Sequence, residues 1–224
     1  MLMTISEKIL ARGSDRKEVS PGEILEARVD MTLSHEKTGP PFFEVFDGLG
    51  IPIWDVEKVA IFSHHDIPPS NIFSADLIQT TLEFCRKHGI ENYYHGLGIS
   101  HQLLPDLGFV MPGEILVGTD SHMTMQGALG AFSTGIGSTE IAWVYGKGTL
   151  WLKVPETIRF NIEGNPGPGV MGKDLILKII SLTGLDGATY KTMEFAGPAI
   201  DAMSMDSRMA IYNMAVGAGA KSGG

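Results

Sequence analysis

Four of the seven histidines in this sequence, His35, His65, His101 and His122, stand where an apolar run gives way to polar residues. Imidazole titrates near neutrality, so it is the side chain best suited to moving protons at physiological pH. The sharpest of these places is Gly118-Thr119-Asp120-Ser121-His122, directly behind the apolar run Ile115-Leu116-Val117. Burying a carboxylate and an imidazole together is costly unless they are paired or used. Asp120 beside a strand end can hold a nearby imidazolium and raise its pKa, which makes a proton donor. The competing reading is a helix cap, because Asp and Ser are favoured there. Residue types alone leave the two readings level.

The other histidines sit in comparable settings. His101 lies in Gly98-Ile99-Ser100-His101-Gln102-Leu103-Leu104-Pro105, and His35 in Ser34-His35-Glu36-Lys37. His64-His65-Asp66 follows another apolar run. Two adjacent residues on an extended chain point to opposite sides, so only one of this pair is expected to face a given pocket. A single such histidine is more often structural than catalytic; four at similar topological positions shift the weight toward a site. His88 and His95 read as ordinary helix-end and strand residues. The glycines of Thr134-Gly135-Ile136-Gly137-Ser138 fit either an anion cradle at a helix start or close packing. Two glycines are weak grounds for a nucleotide. Alone, these residues specify an acid–base site in an α/β domain, open to metal assistance, and name no reaction.

The elements that must hold them can be read from hydrophobic periodicity. Runs at 26–33, 58–63, 92–95, 114–118 and 157–163 read as strands. Residues 59–62 and 115–117 are apolar without alternation, as strands buried on both faces are. Helix-period segments lie at 41–46, 71–88, 127–146, 173–182 and 209–218. Thr4 and Glu7 read as a capping box for a short opening helix, and Gly89 as a helix stop. The alternation predicts a layered α/β/α domain with a largely parallel sheet over residues 1–153, its site at the carboxyl ends of the strands. Lys153-Val154-Pro155-Glu156 reads as breaking a helix, and residues 154–224 as the start of a second, incomplete α/β domain. A truncated chain is the expectation.

Hydrophobic residues make up 43% and charged residues 19%, with 17 Lys plus Arg against 26 Asp plus Glu and a formal charge of −9. An acidic surface repels phosphate backbones, so no nucleic-acid partner is expected. No apolar run reaches membrane-spanning length, and the start has no basic segment followed by an apolar stretch. A cytoplasmic protein without a membrane partner is the expectation. The lone cysteine, Cys85, sits in a helix-period segment and reads as a buried, inert thiol. One thiol holds neither a zinc ion nor an iron–sulfur cluster by itself.

Taken together, these segments resemble the aconitase superfamily, and within it the large subunits of 3-isopropylmalate dehydratase and homoaconitase. Thr4-Ile5-Ser6-Glu7-Lys8-Ile9-Leu10-Ala11 is similar to the family's opening. Residues 118–122, followed by Gly127-Ala128-Leu129-Gly130-Ala131, are similar to its most specific early motif. Residues 98–105, 153–156 and Asn213-Met214-Ala215-Val216 follow in the family's order. The resemblance implies reversible loss and addition of water on a hydroxy di- or tricarboxylate. It implies a 4Fe–4S cluster whose open iron binds the substrate hydroxyl and carboxylate. It further implies that His65, His101 and His122 are active-site histidines. By the same likeness His101 pairs with Asp120 to handle the leaving hydroxyl's proton. Ser121 would contact the cluster or a substrate carboxylate, Asn213 would lie beside the cluster, and His35 near the substrate. The implied partners are a small swivelling subunit or domain, which carries the proton-abstracting serine, and a cysteine-bearing carboxy-terminal region beyond residue 224.

The sequence also departs from the family's pattern. Cys85 matches none of the cluster cysteines, so this chain is not expected to hold the cluster alone. His64 stands where an Asp usually precedes the matched histidine, and Gly217 where a Glu usually supports the third one. Met123 and Met125 stand where threonines are usual. Two expectations follow. The chain is part of a hydro-lyase large subunit, for which the retained Asp120-Ser121-His122 speaks. Or it is a non-catalytic relic or assembly module, for which the two missing carboxylates speak. A hydrolase using the histidines directly on a metal is weaker, because no pair has local metal-ligand spacing. RNA binding is disfavoured by the charge.

Overall fold

The structure, a computed structural model, describes residues 2–224. The chain opens with helix α1 (Ile5–Gly13), where the Thr4 hydroxyl accepts the Glu7 N–H and the Glu7 carboxylate accepts the Thr4 N–H. Strands β1 (Ile24–Arg28) and β2 (Met31–His35) follow, then helix α2 (Gly39–Leu49) and strand β3 (Val59–Ser63). Next come helix α3 (Ile72–His88), strand β4 (Tyr93–His95), helix α4 (Ser100–Asp106) and strand β5 (Ile115–Gly118). A 3₁₀ helix (Ser121–Leu129) leads to β6 (Phe132–Gly135), α5 (Ser138–Lys147) and β7 (Thr149–Lys153). The remainder holds β8 (Thr157–Asn161), α6 (Gly172–Thr183), β9 (Thr192–Ala196) and α7 (Pro198–Asp201). It closes with α8 (Met205–Asn213), another 3₁₀ helix (Met214–Ala218) and the short β10 (Ser222–Gly223).

Strands β4-β3-β2-β5-β6 form a five-stranded sheet, parallel throughout. Crossovers between parallel strands cover both faces with helices, so such strands are buried on both sides. Every residue of β3 is buried, which is why Val59-Ala60-Ile61-Phe62 does not alternate. An aromatic layer seals one face: Phe42, Phe43 and Phe46 of α2 pack with Phe84 of α3 and Tyr145 of α5. The chain runs outward from β2 to β4, returns to β5 beside β2, and runs outward again to β6. Strand order therefore reverses between β2 and β5, and open α/β sheets bind ligands in the crevice at the carboxyl ends of such a pair. Strands β10-β9-β8 form a second parallel sheet over a core that includes Ile176, Met193, Phe195 and Ile211. β1 and β7 pair as an antiparallel ribbon. The layered α/β architecture agrees with the sequence reading.

Several element boundaries differ from it. Residues 26–33, read as one strand, are parts of two strands in different sheets. The break falls at Val29-Asp30, where the Asp30 carboxylate accepts the Ile115 N–H and pairs with Arg12. β1 alternates exposed and buried residues, as a ribbon strand does, whereas β2 is buried throughout. Residues 127–146, read as one helix, contain the end of a 3₁₀ helix, all of β6 and most of α5. Gly130, at φ 80°, turns the chain so that Phe132-Ser133-Thr134 pairs with β5. Periodicity does not separate a four-residue buried strand from a helix segment. Residues 153–156 end strand β7 rather than a helix, and 209–218 divides between α8 and the 3₁₀ helix Met214–Ala218. Among the described residues no helix is long and apolar enough to cross a membrane.

Candidate active site

β2 delivers His35 to the carboxyl edge of the five-stranded sheet, and Glu36 follows as the chain turns toward α2. Glu36 is almost fully buried. Its carboxylate accepts the His65 N–H at 2.7 Å and the His64 N–H at 3.3 Å, and Oε1 lies 3.5 Å from His65 Nδ1. One carboxylate thus fastens the loop after β3 onto the end of β2. Burial alone would push the Glu36 pKa up. The N–H groups of His65, Glu36 itself and His64, aided by the His65 imidazole, outweigh burial and hold the acid below its ordinary range.

Asp120 follows β5 on the other side of the crevice. As N-cap of the 3₁₀ helix Ser121–Leu129, its Oδ1 accepts the His122 N–H at 2.7 Å. The same oxygen lies 3.0 Å from His101 Nε2, while Oδ2 lies 3.4 Å from His35 Nε2. Capping and imidazole pairing, which residue types left level, are both present in one side chain. Burial pushes the Asp120 pKa up, but the approach of His101 and His35, the His101 charge and the His122 N–H hold it far below the carboxylate range. His101 comes from the first turn of α4, and its carbonyl accepts from the buried Gln126 amide at 2.9 Å. His122 stands further out, its side chain 43% exposed and its ring centroid 6.3 Å from that of His101. Ser121 Oγ lies 3.3 Å from His122 Nδ1.

The rings of His64 and His65 stack with centroids 4.2 Å apart, and the His35 ring lies 4.2 Å from His65 and 5.7 Å from His64. The expectation that the adjacent pair would face opposite sides fails, because the chain bends after Ser63 instead of continuing as a strand. Burial, then the charge of His65, pushes His64 down to about 4, with His35 and His101 adding to the effect and Glu36 opposing it. His65 is lowered first by burial and next by His35. Both imidazoles are therefore neutral at pH 7. The donor atoms of His35, Glu36 and His65 all lie within 4.8 Å of one another. The absence of metal-ligand spacing thus holds along the sequence only; the fold supplies the spacing.

Of the predicted site residues, His35, His65, His101, Asp120, Ser121 and His122 border this one crevice. Asn213 does not join them: its amide lies 3.5 Å from Met125 Sδ, in a shallow cleft shared with Gln102 and Met214. Gly135 serves close packing, since a Cβ there would stand 2.7 Å from the Asp120 carbonyl oxygen. The Gly137 N–H is already taken by the Glu140 carboxylate at 2.8 Å. Gly217 lies against Ile180. Glu36 escaped the sequence reading, although a glutamate directly behind a strand-end histidine is a signal, because glutamate is rarely buried without a partner; His64 entered it only as half of an adjacent pair and as a departure from the family's pattern. A 4Fe–4S cluster does not fit the residues of this chain. Cys85 is buried in α3, its thiol pushed up to about 12 by burial, so it offers no thiolate.

Fold and crevice together define an α/β protein with an acid–base pocket at the switch point of a parallel sheet. The solved structure described as the crystal structure of Thermococcus kodakaraensis aconitase X (holo-form) shares the fold. It matches with a TM-score of 0.53 at 13% identity, over 100% of this chain and 61% of that one. The chain belongs to the aconitase family: the family model described as Aconitase family (aconitate hydratase) matches residues 7–224. It is 46% identical, over its full length, to the probable 3-isopropylmalate dehydratase large subunit of Methanothermobacter thermautotrophicus, covering 54% of that relative. It is likewise 46% identical to the 3-isopropylmalate dehydratase large subunit of Aquifex aeolicus, covering 52% of it. To the probable methanogen homoaconitase large subunit of Methanothermobacter thermautotrophicus it is 45% identical, over 99% of this chain and 53% of the relative. The chain spans about half the length of these curated relatives.

Proposed function

We propose that this chain is part of the large subunit of a hydro-lyase that reversibly removes water from a hydroxy di- or tricarboxylate of the isopropylmalate or homoaconitate kind. The observation that carries this reading is the Asp120 carboxylate, shared between His101 and His35 at the switch point. The ionised Asp120 carboxylate holds the His101 ring at 3.0 Å, oriented to carry a proton into the crevice. His101 gives that proton to the departing hydroxyl, which leaves as water. The electron pair of a neighbouring C–H bond becomes the new double bond, and its proton passes to a base outside this chain. Ser121 and His35 hold a substrate carboxylate, while His65 and His122 border the bound substrate.

The thiolates of a 4Fe–4S cluster would come from a cysteine-bearing region outside this chain, with Asn213 on the side that meets it. A small subunit would close the crevice and carry the base. Residues 1–153 would act as one α/β domain and 154–224 as the start of another, in a cytoplasmic enzyme.

Supplied with that cysteine-bearing region and a small subunit, the chain should dehydrate isopropylmalate, followed by the ultraviolet absorbance of the unsaturated product. His101→Asn should lower kcat by about 10²–10⁴-fold with little change in KM. The purified 224-residue chain alone should show no iron–sulfur absorbance; a stoichiometric cluster there would overturn the placement of its ligands. A loaded cluster without turnover would favour the second reading, a fold kept without activity. That reading draws on His64 and Gly217, where the family's carboxylates are missing.

A further inference from the structure

The histidine-lined crevice is more crowded than proton transfer through His101 and Asp120 requires. Buried in it, His64 Nε2 has no hydrogen-bond partner among the described residues, and His35 Nε2 has only the Asp120 carboxylate, 3.4 Å away. Buried polar atoms left unpaired are costly, so a crevice that gathers them is built to receive something. We propose that His35, Glu36 and His65 form a site for a single divalent transition-metal ion, separate from any iron–sulfur cluster.

The geometry is close to what such an ion needs. Three donors bound at about 2.0–2.2 Å lie roughly 3–3.5 Å from one another. His65 Nδ1 and Glu36 Oε1 are already 3.5 Å apart, and no pair in the set exceeds 4.8 Å. Small side-chain rotations close the remainder. Glu36 keeps free lone pairs after accepting two backbone N–H groups, because a carboxylate offers about four acceptor positions. Those two N–H bonds also hold it still, and β2 behind it is buried along its length.

The charge is also suitable. Glu36 gives the site one negative charge, and Asp120 Oδ2, 3.4 Å from His35 Nε2, adds a second at its border. Two imidazoles and one carboxylate suit Fe²⁺, Zn²⁺ or Co²⁺ rather than Mg²⁺ or Ca²⁺, which prefer oxygen donors throughout. Three protein donors leave a coordination position for water or for an oxygen of a small ligand. The site stands on this chain's own residues, whether or not the chain belongs to an active hydro-lyase.

Titration of the 224-residue chain with Co²⁺ alone tests it. One equivalent should bind saturably, give visible d–d absorbance and be displaced by Zn²⁺. His35→Ala, His65→Ala and Glu36→Gln should each weaken binding by about 10-fold or more. His88→Ala and His95→Ala should leave it unchanged. Because Glu36 also fastens a loop, the unaltered chain supplies a second readout. Bound Co²⁺ should shift the ring-proton resonances of His35 and His65 and spare those of His88 and His95. Absence of saturable binding, binding indifferent to both His35→Ala and His65→Ala, or shifts centred on His88 would each overturn the proposal.

Discussion

The molecule holds two parallel sheets whose carboxyl edges could hardly differ more. Behind the strands of the five-stranded sheet come His35, Glu36, His64, His65 and Asp120. Behind β8 and β9 come Ile162, the exposed Glu163 and Gly197, and a Cβ on Gly197 would stand 2.6 Å from the Ile162 carbonyl oxygen. One edge is loaded with a cluster of largely buried titratable groups; the other has a single exposed acid and close backbone packing. The order of strands accounts for the difference. In the three-stranded sheet the chain moves one way, from β8 through β9 to β10, so successive connections cover the same ground. In the five-stranded sheet it leaves the β2–β5 pair in both directions, and the connections part above that pair. A parallel sheet gains a crevice where its order reverses, and polar residues are useful only there.

The seam between the two sheets is where this contrast is most exposed to test. The Ser133 N–H donates to Ser222 Oγ at 3.2 Å, and Thr124 Oγ1 donates to the Tyr212 carbonyl at 2.9 Å. Gly127 passes so close to β10 that a Cβ would stand 2.2 Å from the Gly223 carbonyl oxygen. Backbone meets backbone there, and no flexible side chain can give way. Gly127→Ala should therefore have the largest effect, a loss of about 3 kcal/mol seen as one shifted transition in urea. Two separate transitions, only one of them moved, would divide the molecule along the seam.

A smaller effect sharpens the contrast between the edges themselves. Asp120→Asn removes the charge that His101 and His35 both face, and should cost about 2 kcal/mol. Asn161→Ala, at the end of β8, should cost about 0.5 kcal/mol or less. Equal costs at the two positions would mean that the loaded edge is no more than another capped loop end.

Much of the loaded edge was legible in the sequence, for reasons that also explain what was not. His35, His101, Asp120 and His122 stood out because an apolar run followed by a titratable residue marks the end of a buried strand or the start of the next turn. The pairing of His101 with Asp120 followed only from the family resemblance, since 19 positions separate them along the chain. His64 departs from the extended-chain rule because the chain bends there under the hold of Glu36. β6 was hidden by glycines and small residues whose spacing also suits a helix. Asn213 was carried over by resemblance, and its neighbour Met125 gives no sequence signal of where the amide would settle.

The last expected effect is a pH dependence confined to the loaded edge. His64, partly exposed to water, is faced by His65 in its own loop, by His35 and Glu36 at the end of β2, and by His101 of α4. In the folded chain its pKa is pushed down to about 4, against about 6.5 when unfolded. Above about pH 6.5 the ring is neutral in both states and contributes nothing to the slope. Between about 6.5 and about 4 the unfolded chain takes up a proton that the folded chain refuses, so stability falls as pH falls. Asp120 and Glu36, both held below the ordinary carboxylate range, work in a different window. Their stabilisation is intact above the unfolded carboxylate pKa, about 4, and drains away only below it. A decline between pH 6.5 and 4 therefore reports the crowded imidazoles and not the acids. Urea midpoints collected across that interval should drop steadily for the native sequence and more gently for His64→Asn, with His65 supplying what remains. An identical decline in the variant would mean that His64 is not shielded from protons, and the loaded edge would owe its character to the Asp120 pairings alone.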